Sequence, residues 1–244
     1  MEVNGGTPGD NSTQRTDTRV GVRRWLSKQV FFLLTLVALL FISAGRLDWV
    51  WGWVQVGLYV VVVAAQALLL IPRQPELIAE RSGYQKGSKS WDVVIAGLAA
   101  AILPMITWVL AGLDVRGTWS PALPVWLHLL AAVVWLLGYG LTIWAMTANP
   151  FFGTMVRIQD ERGHTVAMGG PYRYVRHPGY VGAILFQLVT PILLGSLWAL
   201  LPSVVAAALY VVRTALEDQT LQRDLTGYRE YTAQVRYRLF PGVW

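Results

Sequence analysis

The sequence contains no cysteine and few charged residues, and both shortages restrict what the protein can be. Without a thiol the chain can form no disulfide, no thiolate metal site and no cysteine nucleophile. Charged residues make up only 14% of the 244 residues, whereas 55% are hydrophobic, and the mean hydropathy is +0.45. This composition argues against an ordinary soluble domain and predicts an integral membrane protein.

The motifs of many soluble enzymes are also absent. The sequence has no Walker loop, no GxGxxG after a strand, no HExxH and no GxSxG. These absences exclude the soluble nucleotide-binding folds. The net charge of +6 could indicate nucleic acid, but the basic residues stand at the ends of apolar runs rather than in one stripe. We therefore predict membrane lipids as partners and no nucleic acid.

Apolar runs divide the chain into about six transmembrane helices, which makes the predicted fold all-α. A span needs about 20 apolar residues, and the first run covers 25–45. A signal peptide would look similar, but the long polar leader and the runs downstream favour an uncleaved span. The next three runs cover 49–71, 93–113 and 122–148. Together they predict a four-span N-terminal membrane bundle over residues 25–148.

The last apolar segment, 179–216, is interrupted by Pro191, by Gly195-Ser196 and by Pro202. These breakers predict two helices joined by a tight turn, a helical hairpin. The first arm is only about 25 Å long at 1.5 Å per residue, so a re-entrant hairpin is the alternative to a full span. Residues 1–24 are polar and are predicted to be a disordered cytoplasmic tail.

Lysine and arginine are distributed unevenly between the loops. Residues 1–28, the loops 72–92 and 149–178 and the segment 213–244 hold 18 of them, against one each at Arg46 and Arg116. The positive-inside rule therefore predicts a multi-pass protein with both termini and both long loops in the cytoplasm.

Polar chemistry concentrates in the C-terminal region, residues 149–244. The glycines and prolines around Pro171 and Pro178 indicate an irregular backbone with free N–H and C=O groups. Pro178 suits the first turn of the fifth helix, whose N-terminus favours a carboxylate or phosphate. The alternative is an interfacial loop whose arginines bind phospholipid headgroups. Arg157, Arg236 and Arg238 are interpreted as such anchors.

A second polar cluster lies at the end of the sixth helix. Arg213 and Glu217 are four residues apart and share one helix face. By themselves they could form a simple intrahelical ion pair. Glu217, however, is expected at the depth where the turn around His177 begins the preceding helix. A hairpin would therefore bring the two clusters together.

The segments HTVAMGGPYRYVRHPGY and RTALEDQTL, with the tail GYREYTAQVRYRLFPGVW, resemble the isoprenylcysteine carboxyl methyltransferase family, which also looks related to phosphatidylethanolamine N-methyltransferases. The resemblance covers 149–244. It implies a methyltransferase-like region at the cytoplasmic side of the membrane. Its pocket for S-adenosylmethionine would be closed from the cytosol and open sideways to lipid. No metal is implied. This sequence has Glu217-Asp218 where the family has paired glutamates, and Val166-Ala167 where it usually has Leu-Val.

The resemblance also implies site residues, position by position. Arg213 is similar to the family's substrate-facing arginine and is the catalytic candidate. The cofactor-binding candidates are His164, Thr165, Val166, Ala167, Tyr172, His177, Pro178, Gly179, Tyr180 and Glu217.

Methyl transfer needs alignment and exclusion of water more than proton transfer. A forked arginine modestly favours a carboxylate, such as a prenylcysteine-type acid, as acceptor. The acceptor is expected to be a lipophilic or lipidated molecule that enters from the bilayer. Two other acceptors stay open, a phospholipid amine and a small thiol. Two other functions also stay open: a NADPH-dependent membrane reductase of related fold and an inactive membrane protein.

Overall fold

The computed structural model describes residues 8–83 and 87–244, with side chains from residue 17 onward, and this part of the chain forms helices and no strands. The predicted all-α class is confirmed. Nine α-helices follow one another in the described chain: α1 Pro8–Ala44, α2 Val50–Leu70, α3 Pro75–Ser82, α4 Ser90–Gly97, α5 Leu103–Gly117, α6 Val125–Ala148, α7 Pro178–Leu194, α8 Leu200–Asp224 and α9 Tyr228–Gln234.

Five helical segments of the described chain are long and apolar enough to cross a membrane. They are Asp17–Ala44, Val50–Leu70, Ser90–Gly117, Val125–Ala148 and Leu200–Asp224. The four N-terminal runs read from the sequence each coincide with one of them. α7 is apolar but has only 17 residues, or about 25 Å of helix against a hydrocarbon core of about 30 Å.

The predicted disordered tail, residues 1–24, is wrong for residues 8–24, which belong to α1; residues 1–7 lie outside the described part. The helix is supported there by α3, an element that the sequence analysis missed. A Cβ on Gly21 would stand only 2.4 Å from the Cβ of Ala79, and Lys28 Nζ donates to the Ser82 carbonyl at 2.9 Å. Tertiary packing therefore orders a segment whose own composition is polar.

The turn between α7 and α8 forms at Gly195, whose φ of +81° suits glycine. Pro191 lies inside α7 and does not end it. Pro202 stands in the first turn of α8, where a missing N–H costs no helical hydrogen bond. Two of the three predicted breakers thus leave their helices continuous.

A short π-helical stretch, Leu98–Ile102, joins α4 to α5. Pro104 follows it and lacks the N–H that would bond to the Ala100 carbonyl, which explains the irregular turn. The neighbouring Ala99 carbonyl accepts a hydrogen bond from the Gln187 side chain, whose Nε2 lies 3.1 Å away. Ala100 and Pro104 both line the central cavity described below.

The helices α6 and α7 cross at close range. A Cβ on Gly182 would stand 2.3 Å from the Gly138 carbonyl oxygen and 2.4 Å from Thr142 Oγ1. The absence of a side chain therefore permits this close crossing, as small residues do between membrane helices. The crossing positions the start of α7, where the candidate site lies.

Replacing Gly182 by alanine is expected to destabilise the protein by about 1–3 kcal/mol, because the added methyl group meets backbone atoms that cannot turn away. Gly140→Ala in α6 is the matched control, since a Cβ there meets nothing within 4 Å. Thermal unfolding in detergent measures both. Equal unfolding midpoints for the two variants would contradict the packing argument.

Candidate functional site

A cavity of about 480 Å³ lies between the loop after α6, the C-terminal half of α8 and the interior of the helix bundle. Its volume is typical of a site for a small molecule. Of the predicted site residues all except Pro178 line it, namely His164, Thr165, Val166, Ala167, Tyr172, His177, Gly179, Tyr180, Arg213 and Glu217. Pro178 instead begins α7.

The two polar clusters of the sequence meet at this cavity. The Tyr180 hydroxyl donates a short hydrogen bond to the Glu217 carboxylate. Three residues before Tyr180, His177 Nε2 lies 3.4 Å from Oδ1 of Asp218, the residue that follows Glu217. The start of α7 and the last turns of α8 are therefore in direct contact, as the hairpin hypothesis required.

Asp218 is the centre of a buried polar network. Its side chain is fully buried and accepts hydrogen bonds or ion pairs from five groups: Arg176 Nε at 3.1 Å, Arg238 Nε at 2.9 Å, Tyr228 Oη at 3.0 Å, Gln222 Nε2 at 2.7 Å and His177 Nε2 at 3.4 Å. These contacts occupy both carboxylate oxygens. Asp218 thus binds the protein itself, whereas its neighbour Glu217 is left facing the cavity.

The C-terminal segment is part of this network. The Arg176 and His177 N–H groups donate to the carbonyls of Tyr237 and Arg238 at 2.9 and 3.0 Å. The Arg238 guanidinium also lies over the Trp244 ring, 4.7 Å from its centroid. The interpretation of Arg238 as a headgroup anchor is therefore wrong, because its charge is paired with Asp218. Arg157 is likewise paired, with Glu80 and Glu161.

Arg213 is held by a residue that the sequence analysis missed. Its Nε and Nη2 donate to the two oxygens of Asp92 at 2.6 and 2.9 Å, and Nη2 also donates to the Thr154 carbonyl at 2.7 Å. The same carboxylate accepts the Val156 N–H at 2.6 Å. Asp92 therefore occupies the Nε and Nη2 donors of the Arg213 guanidinium. A lone acid at the start of an apolar run was the signal that could have found it.

The segment 164–167 lines the cavity. None of its N–H groups donates a hydrogen bond to another group in the described chain. His164 packs on Phe151, with ring centroids 4.6 Å apart, and its Nδ1 accepts the Gln159 N–H at 3.3 Å. Burial lowers the pKa of His164 below 6.5, so the ring is neutral at pH 7 with its proton on Nε2.

The start of α7 offers fewer free amides than the sequence predicted. The N–H groups of Tyr180 and Val181 both donate to the His177 carbonyl, at 3.0 and 3.3 Å. Only the Gly179 N–H is left at this helix end, since Pro178 has none. An anion at this helix end would therefore bind through one amide rather than through an open helix terminus.

Tyr172 anchors the loop on its other side. Its hydroxyl accepts a hydrogen bond from Asn149 Nδ2 at 3.3 Å, and its carbonyl accepts one from the Tyr231 hydroxyl at 2.7 Å. Burial raises the pKa of Tyr172. The residue is therefore a neutral, fixed wall of the cavity.

Comparison with known proteins assigns this region. Residues 129–223 match the model of the isoprenylcysteine carboxyl methyltransferase (ICMT) family. None of the curated proteins compared with the chain matches it. The matched residues run from α6 to the end of α8, so they include all predicted site residues but neither Asp92 nor Arg238.

Proposed function

We propose that this protein, whose residues 129–223 carry a domain of the isoprenylcysteine carboxyl methyltransferase family, transfers a methyl group from S-adenosylmethionine to a lipophilic acceptor. The family match and the five apolar helices support a membrane methyltransferase. The observation that supports the site is the meeting of segment 164–180 with Glu217 at one cavity. A carboxylate such as a prenylcysteine-type acid is the acceptor that the site suits best.

The residues present fit S-adenosylmethionine. Glu217 is the one carboxylate in the described cavity wall, and it is suited to a ligand that carries positive charge. The unbonded backbone N–H groups of 164–167 and of Gly179 are suited to its adenosine and carboxylate ends. Tyr172 and Tyr180 supply aromatic faces for packing or cation–π contact. We therefore assign these residues to the cofactor.

When bound, S-adenosylmethionine supplies an electrophilic methyl group: the acceptor oxygen donates a lone pair to the methyl carbon, and the sulfur keeps the electrons of the broken bond. The protein's contribution is to align the two partners and to keep water out. Asp92 fixes Arg213, and Asp218 fixes the turn before α7 through Arg176, so both walls of the site are positioned by buried ion pairs.

The hydrogen bonds of the site favour an acceptor that loses no proton. An amine would need a general base, and His177 and Glu217 are the candidates for that role. His177 Nε2, however, faces Asp218 and the Tyr228 hydroxyl at 3.4 Å each, and the Glu217 carboxylate already accepts a bond from Tyr180. A carboxylate or thiolate acceptor needs neither group as a base.

A six-crossing topology follows if α7 crosses the membrane beside α6. Thr142 Oγ1 lies 3.5 Å from the Gly179 carbonyl at one end of α7, and His128 Nδ1 lies 2.9 Å from the Leu193 carbonyl at the other. Just beyond α7, Ser196 Oγ donates to Asp114 Oδ2 at 2.5 Å, at the end of α5. These contacts support α7 as the fifth of six crossings despite its length.

The cytoplasmic side is then the end that holds the site. The loops with Arg46 and Arg116 belong to the other end, where Gly45 is packed against the Arg116 side chain. The remaining 18 of 20 basic residues belong to residues 1–28 and to the sequence segments 72–92, 149–178 and 213–244. The positive-inside rule then supports both termini and the methyl-donor pocket in the cytoplasm.

Membranes containing the protein, incubated with S-adenosylmethionine labelled in its methyl group, are expected to incorporate label into an organic-solvent extract. Mild base should release that label as methanol if the product is a methyl ester, and should not if it is an amine or thioether. Membranes with the Glu217→Ala variant are the control. Equal incorporation by both preparations would refute the proposal, and heat protection by NADPH alone would favour a reductase.

A further inference from the structure

Arg81 is a cavity-lining cation that lies outside the matched family region. It stands near the end of α3, is half-buried and lines the cavity. Its Nη1 lies 3.2 Å from the Phe152 carbonyl and 3.3 Å from the Gly153 carbonyl, and its guanidinium lies 5.4 Å from the centroid of the Phe152 ring. These contacts orient the side chain without neutralising its charge.

The other arginines in the cavity wall are paired with carboxylates. Arg157 binds Glu80, Arg176 binds Asp218 and Arg213 binds Asp92. Within the part of the chain that the structure describes, no carboxylate lies at ion-pair distance from Arg81. Lys28 also lines the cavity without such a pair, but it is exposed and can be solvated. Arg81 therefore leaves an unbalanced charge at the cavity.

Arg81 is also a neighbour of Arg213 in the cavity wall. The carbonyls of Phe152, Gly153 and Thr154 are consecutive; the first two bind Arg81 and the third binds Arg213. Burial and the neighbouring Arg213 charge lower the pKa of Arg81 to about 10. A half-buried guanidinium under repulsion gains from an anion that binds it through two parallel hydrogen bonds.

We propose that Arg81 binds the acidic group of the methyl acceptor and so makes the site selective for a carboxylate-bearing amphiphile. This inference rests on the proposed function and deepens it. Arg213 is less suited to the task, because Asp92 already occupies its fork. The cofactor candidates all lie after residue 163 in the chain, whereas Arg81 approaches the cavity from α3 and is free to serve a different ligand.

The test uses purified full-length protein in detergent, saturated with S-adenosylhomocysteine. Three probes of one chain length are titrated: an S-prenylated N-acetylcysteine, its methyl ester and a prenyl monophosphate. Wild type is expected to bind the acid about 10-fold more tightly than the ester. Arg81→Gln should reduce this ratio to near one, Arg81→Lys should keep part of it, and Arg73→Gln, an exposed arginine outside the cavity, should leave it unchanged.

The affinity for S-adenosylhomocysteine separates the outcomes. It should be the same in all variants; a loss in Arg81→Gln would make Arg81 a cofactor ligand and overturn the proposal. An acid preference that survives in Arg81→Gln would overturn it as well, as would Arg81-dependent binding of the phosphate in preference to the acid. If wild type binds no S-adenosylhomocysteine, the proposed function fails, while the acid and ester titrations without it still test Arg81. Matching thermal midpoints verify folding.

Discussion

Glu217→Ala is expected to lower the affinity for S-adenosylmethionine by about 100-fold or more. Removing one partner of a desolvated charge pair costs several kcal/mol, because the other charge is left without compensation. Glu217 is the one acid in the described cavity wall, so no second carboxylate there replaces it. Its loss also frees the Tyr180 hydroxyl. Equilibrium binding of labelled cofactor to purified protein measures the effect.

Two variants separate charge from shape. Glu217→Gln keeps an oxygen that can accept the Tyr180 hydrogen bond but removes the charge, so most of the affinity should still be lost. Glu230→Gln, on the exposed face of α9 and outside the cavity, should bind the cofactor like wild type. Wild-type affinity in Glu217→Gln would show that the carboxylate does not bind a cation.

Asp218→Ala is expected to destabilise the folded protein by about 3–5 kcal/mol, the usual cost of leaving a buried charge without its partner. The substitution would strand the cations of Arg176 and Arg238 and remove the acceptor of the Tyr228 hydroxyl. It would also release the C-terminal segment from α8. Denaturant unfolding in detergent, followed by the fluorescence of the tryptophans, measures the change.

Asp224→Ala is the matched control for this prediction. Asp224 is on the same helix and also binds two cations, Lys89 and Arg223, but it is exposed. Its replacement should change stability far less, since exposed ion pairs contribute little. If Asp218→Ala and Asp224→Ala unfold at the same denaturant concentration, the network around Asp218 does not stabilise the protein.

The positions of the long helices could be read from local sequence. An apolar run of about 20 residues has to be a span wherever it packs, so the four N-terminal helices and α8 appeared where they were predicted. The ends of elements were less predictable. Pro191 was expected to break α7 but lies inside it, whereas residues 8–24 were expected to be irregular and are helical. In both places the neighbouring helices outweigh local preference.

Only part of the candidate site could be predicted, because local patterns reveal residues that are close together in the chain. The motif around His177 and the pair Arg213–Glu217 are each local patterns, and their meeting followed from two helices joined by a short turn. The partner of Arg213 could not be predicted in this way, because Asp92 lies 121 residues away in the chain. The role of Arg238 could not be predicted either, because it depends on the C-terminal segment returning to His177.

The sequence by itself determined that the chain is a helical membrane protein and which motif residues line its cavity, because apolar length and motif spacing are properties of neighbouring residues. The tertiary structure alone decided which of the buried charges are neutralised. That outcome separates Asp92 and Asp218, which are paired with buried arginines, from Glu217 and Arg81, which line the cavity without an ion pair in the described chain. Ion pairs form between residues that are close in space, and spacing along the chain does not encode that distance.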